Sequence, residues 1–208
     1  MRRWADSTFI FISTNSHQEP GGVEERWLGV MKELIALGAT VHYLCFMNAR
    51  TADAARELGV TVTPYILDKW NPIRSRSRLR KYLRRYEPVC VHSTGLEADS
   101  ILRWAVRHVP GVAFCATLPA TGVQGTRRRP HVDRLFRRFD EVGMRRSAAV
   151  FVESEDLRDE AIAAGVSPEC IVLDPISDSP GDLAASVKRH MLVYVELMKE
   201  RGAESVPE

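Results

Sequence analysis

Short apolar, β-branched runs alternate with amphipathic stretches along nearly the whole chain, and this alternation restricts its possible folds more than any other feature. Residues 8–13, 40–46, 60–67, 88–92, 112–117, 148–152 and 170–173 read as strands. Between them lie helical patterns at 23–37, 51–58, 73–86, 97–108, 131–145 and 154–164, the last opened by Ser154 as its cap. Gly38, Gly59 and Gly165 stand where helices stop, and residues 118–130 read as a loop. Strands separated by whole helices are joined by crossovers rather than hairpins. The expected fold class is therefore α/β and Rossmann-like, a mainly parallel sheet with helices on both faces. After the last strand, Leu183, Val187, Met191, Tyr194, Val195 and Met198 mark one side of a further helix over 182–201. Residues 8–178 are expected to form the α/β unit. Residues 179–201 are expected to form a C-terminal amphipathic helix packing on that unit or on a partner.

With 208 residues, 45% of them hydrophobic, the chain is long enough for one well-buried domain. No apolar run approaches the roughly 20 residues of a membrane span, and 9–12 is too short for a signal peptide, so a cytoplasmic protein is expected. Cys45, Cys90, Cys115 and Cys170 fall in apolar runs with no C-x-x-C pairing, which points to reduced, buried thiols rather than a metal site. The net charge of +2 conceals an asymmetry. Residues 147–208 hold 13 acidic against 5 basic side chains, and the first 146 hold 24 basic against 14 acidic. Arg74, Arg76, Arg78, Arg80, Lys81, Arg84 and Arg85 follow one another with no acidic residue between them. A second cluster runs from Arg127 to Arg146. Such a half either meets an anionic partner or presents a solvated face.

Parallel α/β sheets bind ligands at the carboxyl ends of their strands, near the point where strand order reverses. That edge would collect residues 15–22, 92–95, 118–122 and 153–154. Gly21 and Gly22 occupy a strand-to-helix turn, where a backbone without Cβ can approach a ligand and the first helical N–H groups point at it. The same pair also suits an ordinary tight turn. His92 is placed to hydrogen-bond a hydroxyl or a phosphate, or to cap its strand, with His17 and Gln18 in reach of the same space. Glu153 suits a sugar hydroxyl or the N-terminus of the next helix. Thr94, Thr117 and Thr121 add hydroxyls. The candidate ligand-binding residues are Gly21, Gly22, His92, Thr94 and Glu153. No Gly-x-Gly-x-x-Gly, Walker loop, Asp-x-Asp or Gly-x-Ser-x-Gly occurs, so no cofactor, metal or serine nucleophile is expected.

The order of these segments resembles the N-terminal, acceptor-side domain of family 4 glycosyltransferases of the GT-B fold, over about residues 8–178. Gly21-Gly22-Val23-Glu24, and a helix ending Leu34-Ile35-Ala36-Leu37-Gly38 before the strand Thr40-Val41-His42, look like that family's opening. Pro88-Val89-Cys90-Val91-His92 is similar to its "Pro-Asp-Val-Val-His" strand. Phe151-Val152-Glu153-Ser154 looks like the strand ending ahead of the next helix, and Gly165-Val166-Ser167-Pro168-Glu169-Cys170-Ile171 resembles the following "Gly-Val-Pro-x-x-Lys-Ile". The resemblance implies one GT-B-type half that binds the acceptor. A second domain, carrying the nucleotide-sugar site and a Glu-x₇-Glu pair, would complete it. Glu25/Glu33 and Glu196/Glu204 have that spacing but lie on the opening helix and in the tail. Pro119 stands where family members place a histidine beside the reacting sugar, and Thr94 where some have a second histidine after His92. Proline supplies no proton and orients no hydroxyl, so the resemblance implies a chain inactive by itself, or half of a split enzyme.

The partners this implies are a nucleotide sugar or a sugar or lipid acceptor, and a separate donor-domain chain or a homodimer. An anionic membrane surface under the arginines of 70–85 is a further candidate, which would place the protein peripherally at the inner membrane face. Nucleic acid is disfavoured because no recognition motif accompanies the charge. The alternative function is a non-catalytic binding or scaffold module using the basic face or the C-terminal helix.

Overall fold

The structure is a computed structural model and describes residues 3–13, 22–45, 50–64, 72–106, 109–118, 146–175 and 180–203. Seven strands, β1 (Thr8–Ser13), β2 (Thr40–Cys45), β3 (Thr61–Pro64), β4 (Cys90–Thr94), β5 (Ala113–Leu118), β6 (Ala149–Val152) and β7 (Ile171–Leu173), form one sheet ordered β3-β2-β1-β4-β5-β6-β7. Every neighbouring pair is parallel. Strand order reverses between β1 and β4, which sets the switch point at the carboxyl ends of these two strands.

Side chains alternate between the two faces and build two apolar layers. Phe9, Phe11, Tyr43, Cys90, Cys115 and Phe151 face α1 (Gly22–Ala36), α2 (Arg50–Glu57) and the last helix, Pro180–Ala203. Ile10, Ile12, Leu44, Val91, Phe114 and Ala116 face α3 (Pro72–Tyr86) and α4 (Leu96–Val106). Val150 and Val152 continue that second face onto α5 (Glu155–Ala163). Strands buried on both sides explain why the runs read as continuously apolar rather than alternating.

Local chemistry sets the helix ends. Gly38 adopts φ 86°, and the amides of Gly38 and Ala39 donate to the carbonyls of Ile35 and Leu34, closing α1 with a left-handed residue that a Cβ would disfavour. Ser154 accepts from the Leu157 amide at 3.2 Å and caps α5 as its sequence predicts. Glu87, at the end of α3, takes φ 43° without being glycine.

Some expectations need adjusting. The helix expected over 131–145, the loop before it and the outer part of the 60–67 segment lie outside the described residues. Cys170 belongs to a short 3-10 turn, Pro168–Cys170, rather than to a strand. Ile162, an inward position of the 154–164 helical pattern by sequence, is exposed, because Ala161 takes that position in α5. The last helix, hereafter α6, buries Tyr194, Leu197 and Met198 in the α1 layer, whereas Leu183 remains exposed at its start. None of the described helices is long and apolar enough to cross a membrane.

Candidate functional site

The carboxyl edge of the sheet is organised around Arg26. It lies one turn into α1, and its Nε donates back to the Gly22 carbonyl at 3.0 Å. One terminal nitrogen donates to the Asp174 carbonyl at 2.8 Å and to its Oδ2 at 2.9 Å; the other donates to Glu153 Oε1 at 2.5 Å. Glu153 directly follows β6 and Asp174 directly follows β7, so one planar guanidinium spans two strand ends. All three side chains are buried.

Asp174 also holds α6. Its Oδ2 accepts from the Ser186 hydroxyl at 2.7 Å and its Oδ1 from Arg189 Nε at 2.8 Å. Burial by itself would raise the Asp174 carboxyl; the Ser186 hydrogen bond, the field of His190, the Arg189 hydrogen bond and the field of Arg26 outweigh it, and the net shift is downward. Two guanidinium side chains and two carboxyl side chains thus converge at this edge. His190 stacks flat on Phe151, with centroids 3.9 Å apart and planes at 6°, and its Nδ1 donates to the Ser186 carbonyl at 3.0 Å. Its Nε2 is buried with no hydrogen-bond partner among the described residues. Burial pushes the His190 imidazole down to about 4.

The residues expected at this edge divide into three groups. Gly22 opens α1 beside the Arg26 network; Gly21 lies outside the described residues, as do His17, Gln18 and Thr121. Glu153 is at the edge, with Arg26 as its partner. His92 and Thr94 are in the interior. His92 is 1% exposed, its Nδ1 lies 2.6 Å from the Tyr194 hydroxyl and its Nε2 lies 2.8 Å from Thr117 Oγ1. It sits among Phe11, Trp27, Phe151 and His190, with its pKa held well below the usual value by burial first, then by His190 and Arg26. A neutral ring therefore donates from one nitrogen and accepts at the other. Thr94 donates to the Thr117 carbonyl at 3.4 Å, wholly buried. Among the described residues, no group of three or more His, Cys, Asp or Glu side chains is arranged to hold a metal ion.

Sequence reasoning missed Arg26, Asp174, Ser186, Arg189 and His190. Arg26 and Asp174 are 148 residues apart, and no local pattern relates them. One signal was available: Asp174 follows the last strand as Glu153 follows the one before it.

Residues 21–175 match the sequence profile of the glycosyl transferase 4-like domain, from Gly21 to just past Asp174. The chain belongs to this family. No curated protein matches it at a significant level. Among solved structures, a glycosyltransferase from Rickettsia africae aligns with TM-score 0.60 and 12% identity, over 89% of this chain and 50% of that one. Anabaena Alr3699/HepE, crystallised with UDP, gives the same four values. The UDP-GlcNAc 2-epimerase of Neisseria meningitidis, bound to UDP-GlcNAc, aligns with TM-score 0.56 and 11% identity, over 96% of this chain and 54% of that one. The chain therefore spans about half the length of these structures. The likeness establishes a fold shared with GT-B enzymes and epimerases, and the glycosyl transferase 4-like profile supplies the family.

Proposed function

We propose that this glycosyl transferase 4-like domain is an acceptor-side half, working in a cleft completed by a second domain supplied from outside residues 1–208. The observation that carries the reading is the position of the α1 N-terminus. It lies at the switch-point edge, its first turn tied by Arg26 to the ends of β6 and β7. The start of a helix, opened by paired glycines in the sequence, suits the phosphates of a nucleotide sugar or a phosphorylated acceptor. Gly21 and Gly22 make the contact in this reading. Glu153, His92 and Thr94 form the frame behind it, since their polar groups already serve Arg26, Tyr194 and Thr117. HepE was crystallised with UDP and with UDP-glucose, which makes UDP-glucose the natural first probe. The second domain would bring the groups that drive transfer.

The test is ligand-observed NMR of the chain with UDP-glucose and with UDP. Binding is expected in the wild type and a loss of at least about tenfold in affinity in a Gly21→Val, Gly22→Val variant of unchanged circular dichroism, because two Cβ branches close the backbone approach. Unchanged affinity in the folded variant removes the turn as the site. No binding by the wild type removes the nucleotide sugar as its ligand. A scaffold role is the second reading. It is favoured by the exposed basic side of α3, since the apolar stripe of α6 is already spent on α1 and the sheet.

A further inference from the structure

Two helices on the same side of the sheet carry opposite charge, much of it without an ion-pair partner among the described residues. In α3, Leu79, Leu83 and Ser75 are buried, which fixes the helical phase and turns Arg74, Arg78, Lys81, Arg84 and Arg85 outward. Arg74 and Arg85 are eleven residues apart, so this face is about 16 Å long. Arg78, Lys81 and Arg84 have no ion-pair partner among the described residues. In α5, Ala161 is buried and Glu155, Asp156, Asp159 and Glu160 are exposed. The one basic residue of α5, Arg158, is paired with Glu155, leaving three carboxylates without a described partner.

The two faces cannot neutralise each other within one chain. The α3 helix contacts β2 through Tyr82 and Tyr86 on His42, and α5 packs on β6, four strands from β2. Four strand spacings come to about 19 Å, beyond the Debye length of about 10 Å at 0.1 M salt. Each face also exposes an isoleucine, Ile73 at 69% and Ile162 at 38%. A protein partner buries such apolar surface and a phosphate backbone does not. A lipid surface would attract α3 and repel α5, so it satisfies only one of the two.

We propose that the basic face of α3 docks on the acidic face of α5 in a second copy of this chain. Both faces lie on the same side of the sheet, at opposite ends of one helical layer. A two-fold axis parallel to the helices therefore sets α3 of each copy against α5 of the other, and both contacts form together in a closed dimer. Arginine predominates in α3 and can meet a carboxylate with two parallel hydrogen bonds.

Sedimentation velocity of the full chain over a concentration series tests this. A dimer is expected at about 50 mM NaCl, with at least about a tenfold weaker association at about 500 mM. Arg78→Glu with Arg84→Glu should give a monomer, as should Asp156→Arg with Glu160→Arg. An equimolar mixture of these two variants should restore the dimer, since each charge-reversed face then meets its complement in the other chain. Recovery in the mixture also shows that both variants are folded. A wild type that stays monomeric at low salt overturns the proposal, including one that instead floats with anionic vesicles. So does a dimer that survives in either variant, or a mixture that stays monomeric.

Discussion

His190 is a neutral imidazole on an aromatic ring, and its position ties stability to pH. Its folded pKa is about 4 against an ordinary 6.5, so between these values the unfolded chain takes up a proton that the folded chain refuses. Stability therefore falls as the pH is lowered through this window, by about 3 kcal/mol from this group, and the loss levels off below about pH 4. His92 shifts in the same direction, so the test is a difference between variants. Urea unfolding at intervals from pH 7.5 to 4.5 should show a steeper loss in the wild type than in His190→Gln, which has no titrating ring. Equal slopes would mean that His190 is hydrated or accessible in the folded protein. Asp174 acts in a separate, lower window. Its folded pKa is depressed, so its contribution is present above the unfolded value near 3.8 and is lost as pH falls through the folded one.

At the scale of elements, the contact between α1 and α6 turns on a single missing side chain. A Cβ at Gly29 would lie 2.8 Å from Val187 Cγ2, closer than real contacts allow. Alanine in place of a helical glycine would ordinarily gain about 1 kcal/mol. Here the β-branched Val187 has little rotamer freedom to move aside, and overpacking typically costs about 1–3 kcal/mol. Gly29→Ala is expected to lower stability by about 1 kcal/mol in urea unfolding. Gly29→Ala with Val187→Ala should recover the clash component, and a stabilised single variant would show that α6 can slide. The apolar stripe on 182–201 announced a buried helix from the sequence. Its receiving surface was not legible, because a stripe records hydrophobicity and not the shape it meets. Gly29 carries no signal of its own in the sequence, and Val187 explains why a side chain is missing there.

At the scale of the molecule, α6 completes the sheet. It covers Phe9, Phe11, Phe151 and His92, and supplies Ser186, Arg189 and Tyr194 to groups buried beneath it. A chain ending before Pro180 should therefore expose an aromatic face and leave Asp174 with fewer of its donors. Such a truncation is expected to lose cooperative thermal unfolding and to bind an apolar dye while keeping much of its far-ultraviolet dichroism. A sharp transition near the wild-type midpoint would show that residues 8–175 are self-sufficient.

The order of strands and helices, the caps at Ser154 and Gly38, and the family resemblance all stood in the sequence, because periods of two and of 3.6 residues, and the conformational demands of a turn, are set by near neighbours. The sequence also pointed to Gly22 and Glu153 at one edge, since parallel topology orders strand ends. What it left open was where buried polar groups find partners. His92 read as a residue at the ligand edge, and the fold puts Tyr194 across it, 102 residues away. No local pattern singled out Arg26, Asp174 or Arg189, and the tertiary structure brought them together in one cluster. A desolvated charge requires a partner in space, and only the folded chain decides which residue supplies it.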